Sequence, residues 1–509
     1  MFKNHPKGLL SAALANMGER FGFYTMMAIL VLFLQAKFGL SGPNAGIIYS
    51  IFYFSIYILA FVGGLIADKT KNFKGTILIG LIMMAVGYFL IAIPTSTPVP
   101  ENSFNLLLGM TCGGLFVIAF GNGLFKGNLQ ALVGQMYDNE KYGKLRDSGF
   151  SIFYMFINVG AIFAPLAAVG VRNWWVTSHG FEYNSAMPEL CHSQLNNTIS
   201  AEGLTKLQEF AAQFNYAGTD ITTFANKYLN VFATGFHYAF AVAICAMLIS
   251  LIIYIANKKK FPNPKTKEEV ANANIKEMDA KEVKQRLYAL FAVFAVVIFF
   301  WFSFHQNGLT LTYFAKDYTD LSKISINLGF TEIKGAELFQ SINPFFVVFL
   351  TPVILAVFGA LRARGKEPST PKKIAIGMGI AASAYLLMAL GSMGIPTKSE
   401  LTEMGGLPDA QRITPFLLLG TYFILTVAEL FISPLGISFV SKVAPPKYQG
   451  MMQGLWLCAT AVGNSLLFIG AVLYDIIPIS GVWTVFIVAC CISMGTMFFM
   501  LRWLERVAK

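Results

Sequence analysis

Charged residues are scarce in this sequence: Asp, Glu, Lys and Arg make up 13% of its 509 residues, against about 25% in typical soluble proteins. Cysteine (six) and histidine (five) are also rare, and neither shows the spacing of a disulfide framework or a metal site. The motifs HExxH and G-x-S-x-G and a phosphate-binding loop are absent, which argues against a membrane enzyme. What the sequence has instead is 55% hydrophobic residues, a composition that indicates an integral membrane protein.

Long apolar runs recur along the whole chain. A helix needs about 20 predominantly apolar residues to cross about 30 Å of hydrocarbon, and twelve runs meet this requirement, so we expect an all-α membrane protein with twelve transmembrane helices. The predicted spans are 8–36, 44–67, 75–94, 106–136, 148–171, 232–256, 286–314, 336–361, 372–394, 414–440, 447–474 and 480–503. The first run lacks a small-residue cleavage site behind a short apolar core, which favours a retained helix over a signal peptide.

Lys and Arg are distributed unevenly between the two sides of these spans. With both termini placed in the cytoplasm, 27 of the 38 basic residues fall in cytoplasmic ends and loops, nine fall on the opposite side, and two lie within spans. Since basic loops are retained inside, this bias predicts cytoplasmic termini. It also accounts for the net charge of +11 without a nucleic-acid partner.

A basic, proline-containing stretch separates six spans from six. We predict an N-terminal six-helix bundle at 1–256, a cytoplasmic linker at 257–285 and a C-terminal six-helix bundle at 286–509, which is the plan of the major facilitator fold. The first bundle includes a long polar segment at 172–231, called the outer segment below. Within it, "SAEGLTKLQEFAAQF" is typical of an amphipathic helix.

The motif "GGLIADK" ends the second span. Gly63 and Gly64 permit close approach of another helix, and Asp68 can cap the next turn and pair with Lys69 or Lys74. We assign Gly64, Asp68 and Lys69 to gating or folding rather than to substrate binding.

Four ionisable residues lie within predicted spans: Glu19, Arg20, Lys126 and Glu429. Each charge costs about 2.5 to 3.5 kcal/mol near the centre of a membrane, so four unpaired charges would cost about 10 kcal/mol, comparable with the stability of a whole domain. These groups must therefore meet one another, water or a ligand.

Helical spacing places polar residues on shared faces. In the first span the face holds Asn16, Glu19, Arg20, Phe23 and Tyr24; in the fourth it holds Asn122, Lys126 and Gln130; in the tenth it holds Thr426, Glu429 and Ser433. Structural alternatives stay open for each: a Glu19/Arg20 pair that joins helices, a Lys126 ammonium that reaches the interface, and an internal ion pair of Glu429.

Together these faces predict a polarised cavity, with cations from the first half and a carboxylate from the second. The natural ligand of such a cavity is a zwitterion. Aromatic and amide residues of other spans suit a ligand with peptide groups, although each taken alone is more often packing: Tyr57, Asn158, Trp301, Gln306, Asn343 and Trp456.

The stretch "NMGERFGFY" resembles the first-helix pattern Glu-x-x-Glu-Arg-Phe-x-Tyr-Tyr of the proton-dependent oligopeptide transporters of the major facilitator superfamily. Further similar stretches are "GNGLFKGNLQALVGQMY", "FYMFINVG", "LFQSINPF", "ELFISPLG" and "MMQGLWL", so the match covers nearly all spans. The resemblance implies import of di- and tripeptides across the cytoplasmic membrane, driven by the proton gradient, by alternating access. We expect a monomer in the lipid bilayer, without a cofactor.

The resemblance also implies roles for individual residues. Arg20 and Lys126 would face the peptide carboxylate, and Glu429 would hold the peptide amino group. The residues expected to line the pocket are Tyr24, Tyr57, Asn158, Gln306, Asn343, Ser433 and Trp456.

This chain departs from the family pattern at four places: Asn16 replaces the first Glu, Phe23 the first Tyr, Gly127 the usual Pro, and His305 an acidic residue that often precedes the Gln. The first Glu is one of the groups that the family is thought to protonate, and Asn cannot carry its charge. We therefore expect proton handling at Glu19, Glu429 or His305.

Two other classes of function stay open. One is a facilitator-fold carrier of another small zwitterion or anion, such as an amino acid, nitrate or a drug, or one with altered proton coupling. Glu429 argues against nitrate as the cargo, because an anion carrier would gain little from a carboxylate in its pocket. The other is a membrane receptor that binds peptide without moving it.

Overall fold

The computed structural model describes residues 5–70, 72–137, 140–142, 146–216, 221–262, 278–329, 331–445 and 448–508. In chain order the α-helices are α1 (Leu9–Phe38), α2 (Gly42–Thr70), α3 (Phe73–Ala92), α4 (Glu101–Met136), α5 (Arg146–Ser178), α6 (Met187–Leu195), α7 (Ala201–Ala212), α8 (Ile221–Asn257), α9 (Ala280–Phe304), α10 (Thr310–Tyr318), α11 (Ile342–Ala363), α12 (Thr370–Gly391), α13 (Lys398–Glu403), α14 (Phe416–Val443), α15 (Gln449–Ser465), α16 (Phe468–Ile476) and α17 (Ile479–Val507).

Shorter elements connect these helices. The 3₁₀ helices are Lys258–Lys260, His305–Gly308, Leu321–Lys323, Ala336–Ser341 and Asp409–Gln411. A hairpin pairs β1 (Ser325–Asn327) antiparallel with β2 (Glu332–Lys334), with Ser325 opposite Lys334.

Twelve helical segments of the described chain are long and apolar enough to cross a membrane, which confirms the prediction of twelve spans. Several are longer than the apolar runs because the helix continues past the hydrocarbon into polar sequence. The sixth segment begins at Ile221 rather than 232. The seventh, Ala280–Tyr318, is not a single α-helix, since the 3₁₀ turn His305–Gly308 interrupts it.

The spans form the two six-helix bundles of the major facilitator fold. In the first, α1 packs against α5 and α8, and α4 packs against α2 and α3. In the second, α12 packs against α14 and α17, and α9 packs against α15 and α17. Helix α2 meets α15 and α16, and α5 meets α11, where the halves join. The exact domain boundaries stay a prediction, and 263–277 of the expected linker lies outside the described residues.

One helix contact in the first half requires glycine. A Cβ at Gly63 in α2 would overlap the carbonyl group of Gly123 in α4, so the two backbones touch directly. Gly64 differs, because nothing lies within 4 Å of a Cβ placed there; the close approach expected at both glycines therefore occurs at Gly63. The side chain of Asp68 lies outside what the structure describes, and Lys69 is exposed.

The ends of the outer segment continue α5 and α8, and between them lie α6 and α7. Helix α7 corresponds to the predicted amphipathic helix. Ser200 caps α7 by accepting a hydrogen bond from the Gly203 N–H at 3.0 Å. Helix α7 also contacts the second half: Ser200 Oγ donates to the Glu403 carbonyl at 2.7 Å, and the Lys206 ammonium donates to the Gly406 carbonyl. The segment therefore bridges the two halves on what we call the outer side.

A buried ion pair joins the halves on this outer side. Arg172, in α5, pairs with Glu337 of the second half, and both side chains are 0% exposed. The neighbouring Asn173 Nδ2 donates to the carbonyls of Glu332 and Lys334 at 2.7 and 2.9 Å. Further hydrogen bonds and ion pairs join the halves on the outer side, so the molecule is closed there.

Candidate functional site

The acid and the base of the first span are in direct, buried contact. Arg20 Nε and Nη2 donate to the two carboxylate oxygens of Glu19 at 2.5 and 2.7 Å. Asn122 Nδ2, on α4, donates to Glu19 Oε1 at 2.7 Å, and the Arg20 guanidinium lies 4.7 Å from the centre of the Phe23 ring. A two-bond pair of this kind is strong away from water, and through Asn122 it also joins α1 to α4.

Lys126, the second cation of the first half, has no carboxylate in contact with it among the described residues. Lys126 lies on α4, ten residues before the helix ends at Met136. Its ammonium lies 4.5 Å from the centre of the Tyr57 ring on α2, a cation–π contact. Within the described ranges Lys126 makes neither a hydrogen bond nor an ion pair. Asn16 supplies no charge, and its buried Nδ2 has no hydrogen-bond partner among these residues. The ammonium is thus held against the Tyr57 ring of α2 and is free to meet an anion.

The carboxylate of the second half is positioned from one side. Asn343, on α11, donates to Glu429 Oε2 at 2.8 Å and to Thr426 Oγ1 at 3.0 Å. Ser433 lies one turn further along α14, and its buried Oγ has no hydrogen-bond partner among the described residues. Glu429 Oε1 is therefore left for a ligand or a proton.

Tyrosines of the first half connect the two poles. Tyr24 lies close enough to Arg20 and to Glu429 to interact electrostatically with both. Tyr57 also interacts electrostatically with Arg20 and Glu429, and Lys126 interacts electrostatically with Arg20. The cations of the first half and the carboxylate of the second are therefore grouped around the same tyrosines, and this region is called the central chamber below.

Tyr154 belongs to this chamber and was missed by the sequence analysis. It lies on α5, is 52% exposed, and interacts electrostatically with Glu429 and Tyr57. The signal that could have found it is its place in "FYMFINVG", one helical turn before Asn158. Asn158 itself is 8% exposed, and its Nδ2 donates to the Tyr154 carbonyl at 3.2 Å.

Two residues predicted to line the pocket are almost completely buried by their packing. Gln306 is fully buried: its Nε2 donates to the carbonyls of Phe302 and Leu467 at 3.3 and 3.2 Å, so its amide is not available to a ligand. Trp456 is 3% exposed because its ring packs on Gly436, where a Cβ would overlap the indole. Both residues pack within the wall of the chamber in this structure, and their contact with a ligand stays a prediction.

His305 lies where the two halves meet. Its ring stacks on Trp301, with centroids 4.9 Å apart, and lies 4.7 Å from the ring of Tyr53 on α2. Its Nδ1 is 2.5 Å from Asn464 Oδ1, and a hydrogen bond to this oxygen requires a proton on Nδ1. Among the described residues its hydrogen-bond partner is an amide and not a carboxylate. Tyr53 and Asn464 have no sequence signal that would have pointed to this contact.

Comparison with known proteins identifies the family. The model of the POT family matches residues 74–279 and 266–479. The chain belongs to the POT family. Members are transporters and not enzymes, in agreement with the expectation from the motifs.

Relatives in the family are similar along almost the whole chain. The peptide transporter YePEPT of Yersinia enterocolitica subsp. palearctica serotype O:3 (strain YE-P4) is 28% identical over 481 residues, which cover 91% of this chain and 87% of the relative. Dipeptide and tripeptide permease A of Escherichia coli (strain K12) is 25% identical over 470 residues, which cover 90% of this chain and 82% of the relative.

Solved structures of the POT family show the same fold. A peptide transporter POT in complex with sulfate matches with a TM-score of 0.71 and 22% identity, over 100% of this chain and 96% of the other. A POT family transporter in complex with 5-aminolevulinic acid matches with a TM-score of 0.71 and 22% identity, over 100% of this chain and 98% of the other. These structures share the fold of this chain, and membership of the POT family together with the twelve spans makes the protein a multi-pass membrane transporter.

Proposed function

We propose that this chain imports di- and tripeptides together with protons across the cytoplasmic membrane, with both termini in the cytoplasm. The observation that carries the proposal is the placement of opposite charges around one chamber: Arg20 and Lys126 on the first half, and Glu429 on the second. The relatives named as peptide transporters support the class of cargo.

In the proposed complex the two ends of the peptide meet opposite poles. Lys126 accepts the carboxylate because its ammonium has no anionic partner in the described chain. Glu429 accepts the amino group through the oxygen that Asn343 leaves free. Because the poles belong to different halves, a ligand that spans them draws the halves together, which couples binding to alternating access.

Proton coupling works without an acid at Asn16. Protonation of Glu19 would remove the charge that holds Arg20 in its two-bond pair. Protonation of Glu429 would remove the charge that holds the amino group. His305 touches both halves, so its charge would act on their contact. We propose that one or more of these three groups carries the coupled proton.

Uptake of labelled dialanine into liposomes under an imposed pH step tests the proposed function. We expect accumulation above equilibrium when the outside is acidic, competition by unlabelled dialanine and little competition by free alanine. Equal competition by alanine would indicate an amino-acid carrier. Binding without accumulation would indicate a receptor.

His305→Gln tests the histidine as a coupling group. Glutamine can hydrogen-bond to Asn464 but cannot take up a proton, so if His305 carries the coupled proton, pH-driven accumulation of dialanine falls to equilibrium in this variant while counterflow exchange continues. The matched control is His237→Gln, because His237 is also buried but contacts the Ile91 carbonyl, away from the chamber. Unchanged accumulation in His305→Gln would remove this histidine from the coupling groups.

A further inference from the structure

Four charged side chains form a closed ring of alternating sign on the outer side. Glu189 of α6 lies 3.1 Å from the Lys398 ammonium and 3.6 Å from that of Lys316. Asp317 lies 3.4 Å from Lys398 and 3.6 Å from Lys316, and it accepts a hydrogen bond from the Tyr474 hydroxyl at 3.2 Å. Each lysine contacts two carboxylates and each carboxylate contacts two lysines, so the ring is electrically neutral.

Glu189 is the member of this ring that can leave. It belongs to the first half, whereas the other three members belong to the second. Its side chain is 38% exposed, compared with 6% for Lys316 and 7% for Asp317. Separation of the halves on the outer side would take Glu189 away from Lys316 and Lys398 and leave them with Asp317 in contact and Asp475 close to Lys398. The position between the two ammonium groups would then suit another carboxylate.

Acid does not release Glu189. Burial alone would raise the pKa of its carboxyl, but the ammonium groups of Lys398 and Lys316 lower that pKa from 4.5 to about 2. Because the pKa is lowered, the Glu189 carboxylate stabilises the closed state fully above pH 4.5. This stabilisation is lost as the pH falls through about 2. A competing carboxylate is therefore better suited than a proton to open this contact.

The ring forms one wall of a cavity of about 490 Å³, within the range of small-molecule sites, about 300 to 1,000 Å³. Gln35 lines it from the first half and Asp475 from the second. Asp475 makes no hydrogen bond or ion pair with the described residues, yet it lies close enough to Lys398 to interact electrostatically. Gln35 is eleven residues beyond Tyr24 on α1, about 16 Å at 1.5 Å per residue, so this cavity is separate from the central chamber.

We propose that this outer cavity is a second site for short zwitterionic peptides, which bind there before they reach the central chamber; the inference rests on the proposed function. The peptide carboxylate takes the place of Glu189 between Lys316 and Lys398, and the ammonium group meets Asp475. The ring stays neutral because one carboxylate replaces another. The exchange also loosens a contact between the halves, so occupancy of the cavity favours opening of the outer side.

The test uses the full chain in lipid nanodiscs with the central chamber disabled by Lys126→Ala and Glu429→Gln. Ligand-observed NMR measures binding of dialanine and of dialanine amide, which lacks the carboxylate. We expect dialanine to bind and the amide not to bind. Lys398→Ala should weaken dialanine binding by about tenfold or more, and Lys398→Arg should retain it. The control Lys323→Ala removes a 64% exposed lysine of the second half that does not line the cavity, and should change nothing.

Glu189→Gln provides a second test, in which dialanine binding is expected to become stronger instead of weaker. Removing the internal competitor should strengthen dialanine binding, whereas a purely structural role of Glu189 predicts unchanged or weaker binding. The inference is overturned if the protein with Lys126→Ala and Glu429→Gln does not bind dialanine. It is also overturned if neither Lys398→Ala nor Glu189→Gln changes the affinity for dialanine. A wild-type protein that binds dialanine in the outer cavity but does not transport it would contradict the proposed function and support the outer site.

Discussion

Replacing Lys126 by alanine is expected to reduce pH-driven uptake of dialanine to the level of empty liposomes. Truncation of one partner of a buried charge pair costs about 2 kcal/mol or more, roughly a thirtyfold loss of affinity. Lys126 is the cation of the chamber that is free to take the peptide carboxylate, since its observed contact is the Tyr57 ring. Initial uptake rates, and binding measured on the same protein, separate lost affinity from lost movement.

Lys126 is a cleaner probe of the positive pole than Arg20. Arg20→Ala would leave Glu19 ionised and fully buried, with Asn122 as its remaining hydrogen-bond donor. An uncompensated buried charge costs about 3 to 5 kcal/mol, so a loss of uptake in Arg20→Ala would mix instability with lost binding. Lys126→Ala breaks no ion pair among the described residues and avoids this ambiguity.

The negative pole of the chamber, Glu429, is tested in the same dialanine uptake assay. Glu429→Gln keeps the shape and the hydrogen bond to Asn343 but removes the charge for the amino group, so uptake should fail again. Lys372→Ala, at an exposed position of α12 outside the chamber, is the control for loss of a lysine. Normal uptake by both Lys126→Ala and Glu429→Gln would contradict a site built for a dipolar ligand.

The spans and the charges within them could be predicted because both signals are local. A run of about 20 apolar residues is sufficient to indicate a spanning helix, and Glu19 and Arg20 are conspicuous within such a run. The Arg172–Glu337 pair could not be predicted, since 165 residues separate the partners and no local pattern records their meeting. In the count of loop charges Arg172 is an outer-loop cation, yet it is fully buried in α5.

The directions of side chains in the second half were harder to predict than the spans. A continuous α-helix through the seventh span has 3.6 residues per turn, but at His305–Gly308 the chain tightens to a 3₁₀ turn with about 3.0. Gln306 lies within this turn and is fully buried, and the Leu467 carbonyl accepts its hydrogen bond. The burial of Trp456 depends on how closely α14 and α15 approach each other at Gly436. The sequence of neither helix alone determines that distance.

Arg172→Ala is expected to open the outer side of the transporter. Arg172 and Glu337 are both 0% exposed, so removal of the arginine leaves a buried carboxylate without its counter-charge, at about 3 to 5 kcal/mol. Glu337 Oε2 already lacks a hydrogen-bond partner among the described residues. The Tyr183 ring, 4.0 Å from the guanidinium, loses its cation as well. The closed arrangement is therefore destabilised relative to one in which water reaches Glu337.

Spin labels at Gln208 in α7 and Asp409 in the second half would measure this opening in nanodiscs, in a background without reactive cysteines. We expect one short distance in the wild type and a longer population in Arg172→Ala. Arg362→Ala is the control, because Arg362 also pairs with a carboxylate, Glu367, but is 73% exposed and surface pairs contribute little.

The double variant Arg172→Met, Glu337→Leu decides whether charge or volume holds the outer side closed. Apolar residues of similar size leave no unpaired charge, and replacement of a buried ion pair in this way is often neutral or stabilising. We therefore expect the double variant to recover the short distance that Arg172→Ala loses. If it opens as far as the single variant, the halves are held together by the exact shape of these two side chains and by the Asn173 hydrogen bonds, and the ion pair is not the cause of closure.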